Sequence, residues 1–511
     1  MRISSTLFFQ TGLNSIHTQQ SDLMHIYQQV ASGQRMITPA DDPLAAAQAV
    51  NISQSQSLNA RFEANRSVLN RNLALEETTL NSVTLLLQDV KTRLVEAGNG
   101  TMSDVDRATL GNVLKEARSN LLGLANATDG NGQYLFSGAQ GNVSPFQEVG
   151  GKVSYVGDAH QRNIQADQTR QIAASDVGSD IFGRAAPGTR GYLTLADANN
   201  SGSGTIGKPS LVDPNGHGVG NTFVVEFTSA TDYTVSVKDA AGHDVYQTSG
   251  AAFTPGQANT VSLPGGVQVE MGGSPAIGDK FTIEPMSAPA YMAYPTNVPG
   301  PSAAPVMGTP KVIDASKVLH NTSYQVSFNG TDYTVSYSDL DGNPVTNTAT
   351  FDPATNMLSL PNEGLELYLG ATPDSGFAFT IEPTADGVNT DLNIFDTLDG
   401  IIKALEDGTG SGEAQAARFQ NMLATALQRV DVNYNNVLTV RSSVGARMNE
   451  VDALNANGAQ RNLGYTNQLS KLEDVDYYSA TAQLQLRASA LEAAAMAFKK
   501  IQATSLFNMT Q

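Results

Sequence analysis

Two stretches of the chain carry apolar residues at helical spacing, and a long middle stretch does not. Near the N-terminus, Phe9, Leu13, Ile16, Gln20, Leu23, Tyr27 and Val30 step alternately by three and four residues, the a/d seam of a coiled coil. A second helix is predicted after Asp41, with Leu73, Leu80, Leu87 and Leu94 at seven-residue spacing and Val83 and Val90 on the same face. Gly98-Asn99-Gly100 stops it, and a third helix is expected from Asp104 to Ala127. The C-terminal stretch repeats the pattern through Leu423, Leu427, Val430, Tyr434, Val437, Arg441, Val444, Met448 and Val451. A last helix carries Tyr477, Leu484, Leu491 and Phe498 every seven residues, with Ala488 and Ala495 small enough to admit a neighbouring helix. An intramolecular bundle core is the commoner use of such stripes. Here two seams lie at opposite ends of the chain without a comparable local partner, which favours pairing of the ends with each other and with neighbouring subunits.

The middle reads as β-structure. Phe223–Phe227 and Tyr233–Val237 alternate apolar and polar residues between turn formers. An internal repeat runs through it: TDYTVS occurs at Thr231–Ser236 and Thr331–Ser336, and FTIEP at Phe281–Pro285 and Phe379–Pro383. Two strings repeated in order, each about one hundred residues on, predict duplicated β domains. Proline marks the same division. Of 21 prolines, 17 fall between residues 191 and 390, where long helices are therefore excluded. Charge follows: this block holds 19 acidic residues against five Lys and no Arg, −14 of the chain's total of −19.

The fold class expected is α+β and multidomain, with long terminal helices forming a coiled-coil or bundle core and an inserted all-β region of two repeats. Residues 1–40 and 470–511 are assigned to terminal assembly segments, and 41–190 with 391–469 to a helical core carrying a β-hairpin part. Residues 191–296 and 297–390 are the two inserted β domains. The terminal segments are expected to be disordered in the free monomer and to order on binding.

Composition narrows the chemistry. The acidic balance argues against nucleic acid, which requires clustered Lys and Arg, and against an anionic membrane surface. No stretch is apolar enough to span a bilayer, and no cleavable secretory signal is evident. The chain has no Cys, so thiol catalysis, zinc–thiolate sites and disulfides are excluded. None of the six His begins an HExxH helix; His17 and His25 read as solvated helix positions. The run Gly216–Gly220 lacks the Lys-Ser/Thr of a phosphate loop. Asp197, Asn199 and Ser201 start like a calcium loop, but Lys208 stands where a bidentate Glu is required. No catalytic constellation, cofactor site or metal site is assigned, and an enzyme is not expected.

The turn after the first helix carries the most specific signal. Ser32-Gly33-Gln34-Arg35, then Thr38-Pro39-Ala40-Asp41-Asp42-Pro43 with Ala45-Ala46 and Gln48-Ala49-Val50, resembles the flagellin superfamily, and within it the third hook-associated proteins, which join hook to filament. The start Met1-Arg2-Ile3-Ser4, the segments Gly132–Gly138 and Tyr155–Asp158, and Val444–Arg447, Leu469–Tyr477 and Ile501-Gln502…Ser505–Asn508 fit the same family in its order. The middle block departs from it by its size. The resemblance implies a structural subunit exported unfolded by the flagellar type III apparatus and assembled through its terminal helices. Its implied partners are other copies in a ring, a hook-associated protein on one side, flagellin on the other, and an export chaperone at the last helix. The implied location is the extracellular flagellum. The interface residues expected are Leu13, Ile16, Leu23, Tyr27, Val30, Tyr477, Leu484, Leu491, Phe498, Ile501, Leu506 and Phe507. The signature turn comprises Ser32, Gly33, Arg35, Pro39, Asp41, Asp42 and Pro43. Alternatives are a filament flagellin, or an insert acting as a surface adhesin with Tyr233, Tyr333 and Tyr337 stacking on sugars.

Overall fold

The computed structural model describes residues 5–507, apart from 186–190, 214–219, 239–243, 251, 265, 287–290, 300–304, 306, 315–316, 318–321, 339–342, 384–391 and 409–411. The architecture is α+β and multidomain. The helices are α1 (Ser5–Ser32), α2 (Pro43–Ala97), α3 (Asp104–Ala125), α4 (Gly178–Phe182), α5 (Ile394–Asp407), α6 (Glu413–Glu473) and α7 (Tyr477–Phe507). The chain divides into two compact units: residues 1–71, 163–172 and 447–511, and residues 72–162 with 173–446.

In the first unit, α1 and α7 pair with each other, and the N-terminal part of α2 packs on the C-terminal part of α6. A buried cation ties the second pair together. The Arg66 guanidinium, 1% exposed, donates from Nε to Asn455 Oδ1 (2.7 Å) and from Nη1 to the Ala166 carbonyl (2.9 Å). Gly458 makes its room: a Cβ there would stand 2.4 Å from Arg66 Nη2. Asn59 Nδ2 donates to the Gly458 carbonyl at 2.9 Å. Around this centre, Arg461 binds Asp167 (2.6 Å) and Arg170 binds Glu450 (2.8 Å). The first pair holds the Asp167 carboxyl below its usual range, mainly through the Arg461 bond.

In the second unit, the stripe Leu73, Leu80, Val83, Leu87, Val90 and Leu94 of α2 is fully buried, as are Val430, Val437 and Val444 of α6. Polar contacts flank it: Gln88 Nε2 to Tyr434 Oη (2.7 Å), Arg441 Nη2 to Glu77 (2.6 Å) and Lys91 to Asp431 (2.5 Å). Ser103 caps α3, which lies against α5. Phe136, Phe146, Phe182 and Phe395 form a cluster of edge-on and tilted rings. The segment Gly132–Gly138 reaches it through a tight turn: Gly138 has φ +69°, and a Cβ there would lie 2.3 Å from the Asp158 carbonyl.

The insert is a structural duplication. In the first repeat, strand 222–227 pairs with 233–238 and 280–285, the latter pairs with 192–196, and 244–250 extends the other edge. In the second, strand 324–328 pairs with 333–338 and 378–383, the latter pairs with 291–297, and 344–352 extends the other edge. The smaller strands match as well. Val212 and Asp213 donate to the Gly266 carbonyl as Ile313 and Asp314 donate to Gly364. Both glycines have positive φ, +102° and +69°, with no room for a Cβ beside Asp213 and Asp314. Each repeat has its own apolar core. Strand Tyr291–Asn297 pairs with strand 378–383 of the second repeat, so that sheet takes in residues before the range 297–390 assigned to it.

Candidate assembly surface

The signature turn is a set of helix ends joined by hydrogen bonds. Gly33 closes α1 in the left-handed region (φ +74°), its N–H bonded to the Gln29 carbonyl at 2.9 Å. Asp42 caps α2, its Oδ1 accepting the Ala45 N–H at 3.0 Å. Pro43 then occupies the first helical position, where a missing N–H costs nothing. Asp41 shapes the loop: its carboxylate accepts the N–H groups of Ile37 (2.8 Å) and Thr38 (2.9 Å) and lies 3.1 Å from His25 Nε2. These bonds, the Thr38 amide first, hold its pKa down at about 2. The two adjacent acids thus have different tasks, one in the loop and one in the helix.

Arg35 joins this turn to the α6–α7 turn. Its guanidinium donates from Nη2 to the Leu472 carbonyl at 2.9 Å, one of the acceptors a helix leaves unmatched in its last turn. Arg35 N–H reaches the Glu473 carbonyl (2.6 Å) and Val475 N–H reaches that of Gly33 (3.0 Å). Asp476 caps α7 through the Tyr478 N–H at 3.1 Å. Beside the turn lies a groove of about 360 Å³, walled by Met36, Ile37, Pro39, Ala46, Ala49 and Val50.

From these turns α1 and α7 run antiparallel. Tyr477 Oη stands 3.0 Å from where a Gly33 Cβ would be, Arg487 bonds to Asp22, and the Phe498 ring fills the space left by Gly12. Ile16, Leu23 and Val30, with Leu484, Leu491 and Phe498, are half-buried along the seam. Leu13, Tyr27 and Tyr477 are instead exposed, at 38%, 60% and 56%. The side chains of Ile501, Leu506 and Phe507 lie outside the described residues. Gly12, Gln19 and Ile26 take the places on the α7 side that the periodicity assigns to Leu13, Gln20 and Tyr27. A one-residue offset steps by threes and fours equally well, and Gly12 gives no hydrophobic signal. Among the described residues of α1 and α7, only Ile26 and Ala480 are buried. Leu7, Met24, Leu486 and Met496 lie open, between 52% and 71% exposed.

Of the segments expected to be disordered in the monomer, the described parts Ser5–Ser32 and Tyr477–Phe507 are helices that pack thinly on each other. One alternative reading changes. Tyr233 and Tyr333 are 8% and 3% exposed, and Tyr337 stands edge-on to Tyr324, so all three pack the sheets instead of presenting rings to sugars. Asp197 Oδ1 accepts from Asn199 N–H (2.8 Å), and buried Asp279 accepts the N–H groups of Ser201, Gly202 and Ala276; these acids order their loop through its amides. Of the run Gly216–Gly220, only Gly220 lies within the described residues.

The α6 side chains Asn421, Thr425 and Gln428 were not anticipated. Strand 192–196 is the edge of its sheet, and α6 closes it: Gln428 Oε1 accepts the Thr194 N–H (3.2 Å) and Thr425 Oγ1 donates to the Thr194 carbonyl (2.7 Å). Asn421 does the same for Ile206 N–H (3.0 Å) and the Gly204 carbonyl (2.9 Å). Unpaired edge groups are thereby satisfied, and the first repeat is fixed to the helical core.

Residues 3–141 match the family model of the bacterial flagellin N-terminal helical region. The N-terminal part of the chain is thus similar to that region. It is 39% identical over 182 residues to flagellar hook-associated protein 3 of Escherichia coli and 37% identical over 182 residues to that of Salmonella typhimurium. Each match covers 36% of this chain and 57% of the relative's length. A flagellin of Serratia marcescens is 23% identical over 261 residues. The crystal structure of FlgL from Xanthomonas campestris aligns with a TM-score of 0.53 at 20% identity, covering 82% of this chain and 99% of that one. The flagellar junction protein FlgL from Legionella pneumophila aligns at 0.50 and 18% identity, covering 84% and 100%. The likeness in fold therefore extends well beyond the 182 residues matched to the hook-associated proteins.

Proposed function

We propose that this chain is a structural subunit of the bacterial flagellum, placed where hook meets filament, and not an enzyme. The observation that carries this reading is the 39% identity to hook-associated protein 3, against 23% to the Serratia flagellin. The clasp of Gly33, Arg35, Asp41 and Asp42 supports it physically, because it fixes where both terminal helices leave the core. On this reading the subunit is exported unfolded by the type III apparatus, with a chaperone holding the last helix. It joins a ring of copies through α1 and α7, between a hook-associated protein and flagellin. The exposed apolar residues of α1 and α7 are the surface such contacts would cover. The acidic β repeats face solvent, the first fixed by α6.

Immunogold labelling of intact flagella with antibody against residues 191–390 tests the placement. A single narrow band between hook and filament is expected. Label along the whole filament would instead make the chain a flagellin.

A further inference from the structure

In the second repeat, Tyr294 Oη donates to Glu382 Oε1 at 2.6 Å. Register identifies the residue that holds this place in the first repeat. Tyr294 stands opposite Thr380 and Leu195 opposite Thr282, the same threonine of the repeated FTIEP string. Leucine supplies neither the ring nor the hydroxyl to Glu284. A cleft of about 360 Å³ opens beside it, between the end of strand 192–196, α5 and the N-terminal turns of α6. Leu195, Ala198, Ile401, Met422 and Ala426 give it apolar walls. Its charged lining is unequally committed. Asp197 accepts an amide of its own loop, and Asp396 lies in the first turn of α5, where the helix end favours negative charge. Arg418 donates from Nε to the Asn200 carbonyl at 2.8 Å. Arg429 differs from these, because its Nε is buried without an acceptor among the described residues. Glu284 is near enough to feel its charge, but the two form no ion pair.

We propose that this cleft is a binding site for a small aromatic carboxylate, its ring between Leu195 and the apolar faces of α5 and α6 and its carboxylate on Arg429. A buried charged donor without a partner is costly, and a ligand that brings an acceptor to it recovers that cost. A guanidinium takes a carboxylate through paired N–H bonds. Apolar walls around one charged anchor are the usual make-up of small-molecule sites, and the volume lies in their range of about 300–1,000 Å³. A single ring is the fitting size, since a tyrosine ring belongs to the equivalent place of the second repeat. The duplication therefore assigns the site to the first repeat alone.

The test titrates phenylacetate, with phenylacetamide as its uncharged counterpart, into the full-length chain and follows both by ligand-detected NMR. Phenylacetate should bind saturably. Phenylacetamide should bind about 10-fold or more weaker, the scale of one charge-assisted hydrogen bond. Arg429→Met, which keeps an apolar stem, should weaken phenylacetate by a similar factor. Leu195→Tyr, which restores the residue of the second repeat, should fill the cleft and abolish binding. Hydrogen exchange in strand 192–196 checks that each variant keeps its fold. Absence of saturable binding at millimolar phenylacetate overturns the proposal, as does undiminished binding to Leu195→Tyr. Equal affinity for acid and amide, or for wild type and Arg429→Met, refutes the carboxylate anchor. If phenylacetate fails to bind while either variant lowers the amount of chain in sheared flagella, the cleft takes a side chain of a neighbouring protein and the small-ligand site is refuted.

Discussion

Gly458 lies inside α6, where alanine is ordinarily preferred by about 1 kcal/mol. Gly458→Ala should nonetheless destabilise the first unit. The new Cβ would sit 2.4 Å from Arg66 Nη2 and 3.2 Å from its Cζ, and the guanidinium has no free space, being 1% exposed. It must shift away from Asn455 Oδ1 and the Ala166 carbonyl, 2.7 and 2.9 Å distant. Hydrogen bonds from a charged donor contribute roughly 1.5–3 kcal/mol each, and overpacking adds roughly 1–3 kcal/mol. With partial relaxation and the propensity gain subtracted, a net loss of about 2–4 kcal/mol is expected. Gly464, six residues along the same helix, has nothing within 4 Å of its Cβ position, so Gly464→Ala should stabilise by up to about 1 kcal/mol. The chain is multidomain, and a single unfolding midpoint would mix its parts. Hydrogen exchange of the α6 amides around residues 450–465 is the suitable measure, with a double-mutant cycle against Arg66→Met. If Gly458→Ala protects these amides as well as Gly464→Ala does, or costs as much with Met at position 66, the steric argument is refuted.

Other outcomes follow from the same structure. Asp41, at about 2 in the folded chain against an ordinary 3.8, contributes stability present above pH 4 and lost as pH falls towards 2. Amide exchange in residues 33–43 should rise over that window, and Asp41→Asn should flatten the rise. Gln428→Ala leaves the Thr194 N–H and hydroxyl without their α6 partner and should cost about 1–3 kcal/mol, read as faster exchange in strand 192–196 with the second repeat unchanged. Gly364→Ala meets the Asp314 carbonyl at 2.2 Å from a backbone with φ +69° and should lower the second repeat's melting temperature while sparing the first. In dilute wild-type monomer, α1 and α7 should exchange faster than residues 73–94 of α2, since among their described residues they bury only Ile26 and Ala480; equal protection would contradict the expectation that the ends order fully only on assembly.

The helices and the duplication were legible in the sequence because both are periodic signals. The leucine heptad from Leu73 to Leu94 is buried throughout, and Gly98 follows the last residue of α2. The α1–α7 seam was legible as a seam but not in its phase, which depends on a glycine and a glutamine that hydropathy does not score. The α6 amides were hidden for a different reason. Asn421, Gln428, Asn433 and Asn436 look like a solvated helix face, and their burial at 1–6% becomes explicable only when a sheet edge and neighbouring loops present unpaired N–H and C=O groups to them. Gly458 did leave a trace: a glycine deep in a long helix marks a close approach, but nothing local says that the approaching group is an arginine 392 positions earlier.

The two repeats show where sequence identity stops determining surroundings. FTIEP forms the same strand in both, pairing with 222–227 and 192–196 in the first and with 324–328 and 291–297 in the second. Its glutamate nevertheless has two environments. Glu382 accepts a hydrogen bond from Tyr294 Oη at 2.6 Å. Glu284 is half-buried, with burial raising its pKa and Arg429 of α6 opposing that rise. The strand, its register and its apolar positions come from the repeated string, since alternate residues must enter the core. What covers the outer face comes from elsewhere in the chain, here from a helix that begins 128 residues after Glu284's strand. Duplicated sequence therefore predicts a duplicated fold. It does not predict a duplicated binding surface, and any ligand for this insert must be sought in each repeat separately.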